Sequence, residues 1–205
     1  MQISTLISHC SELIQFILKS SQPADLIASK YFRAKKYIGS KERKFISETV
    51  FTSIRIKVLI EYLLIHIPND STSKLIKNSD NKKIYYSENN SYFLCLIFST
   101  LFLTNNFLEK ILFSPKEIAK KILCQDDFDF NNIIFDALSF LLNENLVDIQ
   151  IFADNLSAQF TKLDKSIKKI ITKYQNSNEQ INNEDLDIIC NRYSFPQFLF
   201  KNIYN

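Results

Sequence analysis

Nine cations fall between Lys30 and Lys57: Lys30, Arg33, Lys35, Lys36, Lys41, Arg43, Lys44, Arg55 and Lys57. Only Glu42 and Glu48 oppose them, so this segment carries +7 in a chain of net charge +3, and the rest sums to −4. Cations gathered at one place neutralise a polyanion, and phosphates are the chemistry this pattern fits. Lys35, Lys36, Lys41 and Lys44 flank Gly39 and Ser40, where an exposed turn would present them as phosphate contacts. A different role is open to Arg33, Arg43 and Arg55, which can hold helices together by bonding carbonyls and helix ends. Arg43 and Arg55 sit inside an apolar pattern, so both roles stand for them. Glu48 is spaced to pair with Lys44 and Arg55, in surface ion pairs that contribute about 0.5 kcal/mol each.

Other chemistry finds less support. Cys10, Cys95, Cys124 and Cys190 lie 85, 29 and 66 residues apart, with only His9 and His66 to join them. That spacing builds no local zinc site and reads as buried, reduced thiols of a cytoplasmic protein, with the neighbours His9 and Cys10 as a coincidence on a helix surface. Asp127, Asp129 and Asn131 alternate like the opening of a calcium loop. Asn132 and Leu138 stand where that loop needs glycine and glutamate, so acidic residues at a helix N-terminus explain the run better. Lys162, Lys165, Lys169 and Lys173, joined by Lys168, form a second basic stripe that reads as a solvated face. A chain with one glycine offers no Gly-rich loop for a nucleotide or S-adenosylmethionine. No metal and no cofactor is expected on this chain.

The basic stretch needs a helix, an elbow and a second helix to position it. Pro23 suits a first helical turn, Asp25 sits near the positive dipole end, and Leu26, Ile27 and Tyr31 supply an apolar side. Gly39 is expected to stop that helix in the left-handed conformation, and Ser40 to cap the next. Phe45, Ile46, Thr49, Val50, Ile54, Val58, Leu59 and Leu63 then recur at helical spacing.

The same period predicts helices over Ile3–Lys19, Pro23–Lys36 and Ser40–Ile67, the last bent midway. Further helices are expected over Tyr92–Phe102, Ser114–Leu123, Asn131–Leu142, Leu146–Leu156, Phe160–Tyr174 and Glu184–Asn191, with Pro196 opening a last one. Leu163, Ile167, Ile170, Ile171 and Tyr174 mark the inner side of the eighth. Polar runs at 69–90 and 176–183 read as an exposed excursion and a loop. One glycine and four prolines leave few turns for a β protein, and 18 Phe supply a large core, so the fold class is all-α. The start carries no basic region ahead of its apolar residues and reads as an amphipathic helix instead of a signal peptide. The most apolar run, Tyr92–Leu103, spans 12 residues where a membrane span needs about 20. A soluble, cytoplasmic chain follows.

Part of this pattern resembles a known family. Pro23-Ala24-Asp25, Tyr31-Phe32-Arg33, Gly39-Ser40 with Arg43, Phe45-Ile46, Glu48, Val50 and Arg55 are similar to the amino-terminal signature of the Sun/RsmB ribosomal RNA cytosine carbon-5 methyltransferases. Tyr193-Ser194-Phe195-Pro196-Gln197-Phe198-Leu199 resembles the segment where those proteins approach their catalytic half, although a tryptophan commonly stands where Phe198 does. The resemblance implies a NusB-like helical bundle over 1–192 that binds structured, ribosomal RNA, with 193–205 leading toward a catalytic domain absent from this chain. S-adenosylmethionine and the cysteine nucleophile would belong to that missing or separate methyltransferase domain, so no catalysis is expected here. The RNA contacts would be Lys30, Arg33, Lys35, Lys36, Lys41, Arg43, Lys44 and Arg55. The alternative is a protein–protein interaction module of the antitermination-adaptor type, with apolar surface near Tyr193–Tyr204.

Overall fold

A computed structural model describes residues 1–67, 90–108, 114–126, 128–176 and 181–194 of the 205-residue chain. Every regular element among them is a helix: α1 (Ile3–Lys19), α2 (Ala24–Ala34), α3 (Ser40–Arg55), α4 (Lys57–His66), α5 (Asn90–Asn106), α6 (Pro115–Leu123), α7 (Phe130–Leu142), α8 (Leu146–Gln175) and α9 (Asn183–Tyr193). The all-α expectation holds. The expected polar excursion, the helix opened by Pro196 and Asp127 of the calcium-like run lie outside the described residues.

α5 is the centre of the bundle. Thirteen of its 17 residues are buried, because its side chains are apolar or small all the way round and no face is left for solvent. It packs against α1, α3, α4, α6, α7 and α8. Phe98 is fully buried, and its ring lies 5.9, 5.7 and 5.6 Å from those of Phe102, Phe135 and Phe152. α1 adds Leu6, Ile7, Leu13 and Ile14, all fully buried, each contributing about 1.5–3 kcal/mol relative to exposure. Ser53 donates to Thr100 Oγ1 across the α3–α5 seam (2.8 Å), which gives two buried hydroxyls a partner.

Helix ends follow local chemistry. Ser114 Oγ accepts from the Glu117 N–H at the start of α6, with Pro115 in the first turn. Asp129 caps α7 by accepting from the N–H groups of Asn131 and Asn132, so Asp129 and Asn131 of the calcium-like run belong to a helix start. Cys124, Asn143 and Ser194 hold the left-handed conformation at the ends of α6, α7 and α9.

Four expectations need correction. The two helices predicted over 146–174 are one, because residues 157–159 hold no breaker and the buried stripe Ile149, Phe152, Leu156, Phe160, Leu163, Ile167, Ile170 runs on without a gap. Leu26, Val58 and Ile171 are 45, 44 and 40% exposed, each one residue from a buried neighbour and so about 100° round its helix from the core. The predicted bend in the third helix is a break at Ile56 (φ −101°, ψ 12°). There the N–H of Leu59 donates to Ser194 Oγ (3.1 Å), a cap brought from the far end of the chain. Cys10, Cys95 and Cys190 are buried as expected, and Cys124 is exposed.

No helix among the described residues is long and apolar enough to cross a membrane.

Candidate nucleic-acid interface

The elbow joins α2 to α3, and its shape comes from burial. α2 ends at Lys35 (φ −107°, ψ 64°), and Ile38 then enters the core at 1% exposure. The Ile38 N–H donates to the Lys35 carbonyl (3.1 Å), and Arg43 Nε donates to the Ile38 carbonyl (2.8 Å). Gly39 is not left-handed: at φ −70°, ψ 171° it is the N-cap of α3, and Ser40 is the first helical residue. A Cβ at this position would stand 2.5 Å from Glu42 Oε2, the far end of a flexible side chain that can swing aside.

Beneath the elbow lies a polar chain linking α1 to α2, with His9 and Tyr31 buried and Glu12 and Lys35 half-buried. Glu12 Oε2 accepts from Lys35 Nζ (2.6 Å) and from the Tyr31 hydroxyl (2.7 Å). Because Tyr31 gives its proton to Glu12, its oxygen accepts from His9 Nδ1 (2.8 Å), and His9 Nε2 is left to accept from the Tyr37 hydroxyl (3.3 Å). His9 is therefore no surface coincidence; it is 8% exposed. Burial, together with the Lys35 charge, holds its pKa below the usual histidine value despite Glu12. Burial works to raise the Glu12 pKa, and the hydrogen bonds from Lys35 and Tyr31 outweigh it and hold the carboxyl below its ordinary range.

These directions set a pH dependence. The unfolded chain takes up a proton at His9 more readily than the folded one below pH ~6.5, so stability is complete above that value and falls as the pH drops toward the folded pKa. Glu12 adds a second loss at more acid pH, below about 4.5. Plots of Tm against pH for the chain and for His9→Gln should diverge as the pH falls below ~6.5, the variant being flatter. Parallel curves would contradict the network.

The structure sorts the eight predicted cations. Lys35 is held by Glu12 and lies over the Tyr31 ring (4.8 Å). Arg43 is a scaffold residue, bonded to the Ile38 carbonyl with its guanidinium 5.8 Å from the centre of the Phe32 ring. Lys30 donates to Gln22 Oε1 (2.9 Å) and Lys41 to the Lys121 carbonyl (3.1 Å), both from exposed positions. Arg33, Lys36, Lys44 and Arg55 are exposed and have no partner among the described residues. Glu48 pairs with neither Lys44 nor Arg55 there, contrary to the spacing argument. Arg55 lies 12 residues beyond Arg43, about 18 Å along α3, so it stands apart from the elbow.

The fold also adds a cation that the stretch itself does not contain. α6 packs on α3, and its Lys121 carbonyl lies against Lys41, so the exposed Lys121 joins the elbow, while Lys120 is paired with Asp126 (3.1 Å). The only hint in the sequence was the excess of lysine in 116–121. In the second stripe, Lys173 is held by Asp185 (3.2 Å), while Lys162, Lys165, Lys168 and Lys169 are exposed on α8. No group of three or more His, Cys, Asp or Glu among the described residues is arranged to hold a metal. In comparisons with known proteins, no family model matches this chain, and no curated protein or solved structure matches it either.

Proposed function

We propose that this chain is an RNA-binding helical domain of the type found at the amino terminus of Sun/RsmB methyltransferases, docking structured RNA through the elbow between α2 and α3. One observation carries the reading: Arg33, Lys36 and Lys44 are exposed at the elbow with no acidic partner among the described residues, and Lys41 and Lys121 adjoin them. Cations kept free of neighbouring carboxylates are available to phosphate oxygens, and they position a backbone with little reading of base edges. The RNA is ribosomal in this reading. The chain performs no methyl transfer alone, and S-adenosylmethionine belongs to a separate catalytic domain that it would accompany.

Titrating a structured RNA against the chain at rising ionic strength tests this. Four phosphate contacts give a log–log slope near −3, a loss of roughly 100-fold between about 50 and 200 mM salt. A flat response contradicts the reading and favours a second one, a protein-interaction module. That reading has its own support in a groove of about 400 Å³ lined by Ile3, Leu123, Ile133, Ala137 and Phe140, in which Phe140 is 77% exposed.

A further inference from the structure

One aromatic ring at the elbow is left outside the core. Tyr37 is 67% exposed, although Ile38 beside it is 1% exposed in the same short connection. It lies in the connection between α2 and α3, directly after the exposed Lys36 and four residues before the exposed Lys41, so the cations assigned above to phosphates flank it in the chain. Its orientation is fixed from beneath. The hydroxyl donates to the buried His9 Nε2 (3.3 Å), and the ring lies 5.9 Å from the imidazole at 47°. His9 is itself held by Tyr31, and Tyr31 by Glu12.

We propose that Tyr37 is a stacking platform for an unpaired base, so that the RNA taken by this elbow carries a loop or bulge beside the phosphates that the cations contact. This rests on the RNA-binding reading above. Inside a duplex every base face is already covered by its neighbours, and only a splayed base offers one to a protein side chain. An aromatic ring between cations fits such a base, because the charges draw in the backbone and the ring takes the apolar face. The tether to His9 orders the ring before binding, so less side-chain freedom is lost on contact. Beyond its contact with His9, most of the ring meets solvent.

The experiment uses the whole chain and two RNAs at low salt: a hairpin with an adenine-rich loop, and a blunt duplex with the same stem. Tyr37→Ala is expected to weaken hairpin binding about ten-fold and to leave duplex binding unchanged. Tyr37→Phe keeps the ring and should bind the hairpin within about three-fold of the unmodified chain. A 2-aminopurine placed in the loop should be quenched by the unmodified chain, a readout that needs no variant. The inference is overturned if Tyr37→Ala leaves the hairpin unaffected, if it weakens both RNAs equally, if Tyr37→Phe loses as much as Tyr37→Ala, or if the 2-aminopurine signal does not change. The two failures separate cleanly. If both RNAs bind and the elbow lysines matter while Tyr37 does not, RNA binding stands and this inference falls. If neither RNA binds the unmodified chain, both fall.

Discussion

Changing Arg33, Lys36, Lys41 and Lys44 together to Gln is expected to flatten the log–log salt dependence of RNA binding by about 3 units, at 0.7–0.9 per lost phosphate contact. These four flank the elbow and are exposed; among the described residues only Lys41 of the four is tied, to the Lys121 carbonyl, which uses one of its three donors. Lys35 and Arg43 are left in place because they hold the elbow through Glu12 and the Ile38 carbonyl. The folded state should survive, since exposed cations without partners add little to stability. The matched control is Lys162, Lys165, Lys168 and Lys169 to Gln, the exposed part of the α8 stripe, with the same loss of charge. Equal losses in both variants would mean that binding follows total charge. A loss confined to the control would place the RNA on α8.

The second large effect concerns the frame that presents the elbow. Phe98→Ala is expected to cost about 3–5 kcal/mol, a large part of the roughly 5–15 kcal/mol that stabilises a domain. Phe98 is fully buried on the central helix, and its ring touches those of α7 and α8 as well as its own helix. Truncation therefore opens a cavity between three helices that no single one of them can close. For a chain of this size each kcal/mol lowers Tm by about 2–4 °C, so a fall of roughly 10 °C is expected. Phe140→Ala, at a site 77% exposed, is the comparison and should stay within about 0.5 kcal/mol. Similar losses from the two variants would show that α5 is not the centre of the core.

The elements were readable wherever period and punctuation agreed. α1 and α6 carry their own signals, an unbroken apolar stripe in one and Ser114-Pro115 with Glu117 in the other, and both fall where the residues predict. The residues of α8 predict two helices because its middle, Ser157-Ala158-Gln159, carries no large apolar side chain, and only the buried stripe on either side shows that the helix continues. Gly39 misled for a related reason. A lone glycine between helices suggests a left-handed stop, whereas here its φ of −70° is open to any residue and a Cβ would displace only the end of the Glu42 side chain.

The cations were found from sequence, but their partners were not. Lys35 is neutralised by Glu12, 23 residues earlier, and Lys41 meets Lys121, 80 residues later. No local spacing encodes contacts of that range. The His9–Tyr31–Tyr37 chain was missed in the same way, since each residue alone is an ordinary member of its helix or loop. Which cations are free for phosphate is thus a property of the fold, whereas their concentration in one stretch is a property of the sequence.

The most direct measurement of the central claim is lysine acylation, read residue by residue with and without a structured RNA. Reactivity at Lys36, Lys41, Lys44 and Lys121 is predicted to fall on addition of RNA at low salt and to recover at high salt, while Lys162, Lys165 and Lys169 stay unchanged. Unchanged reactivity at the elbow, or protection confined to the α8 lysines, would contradict it.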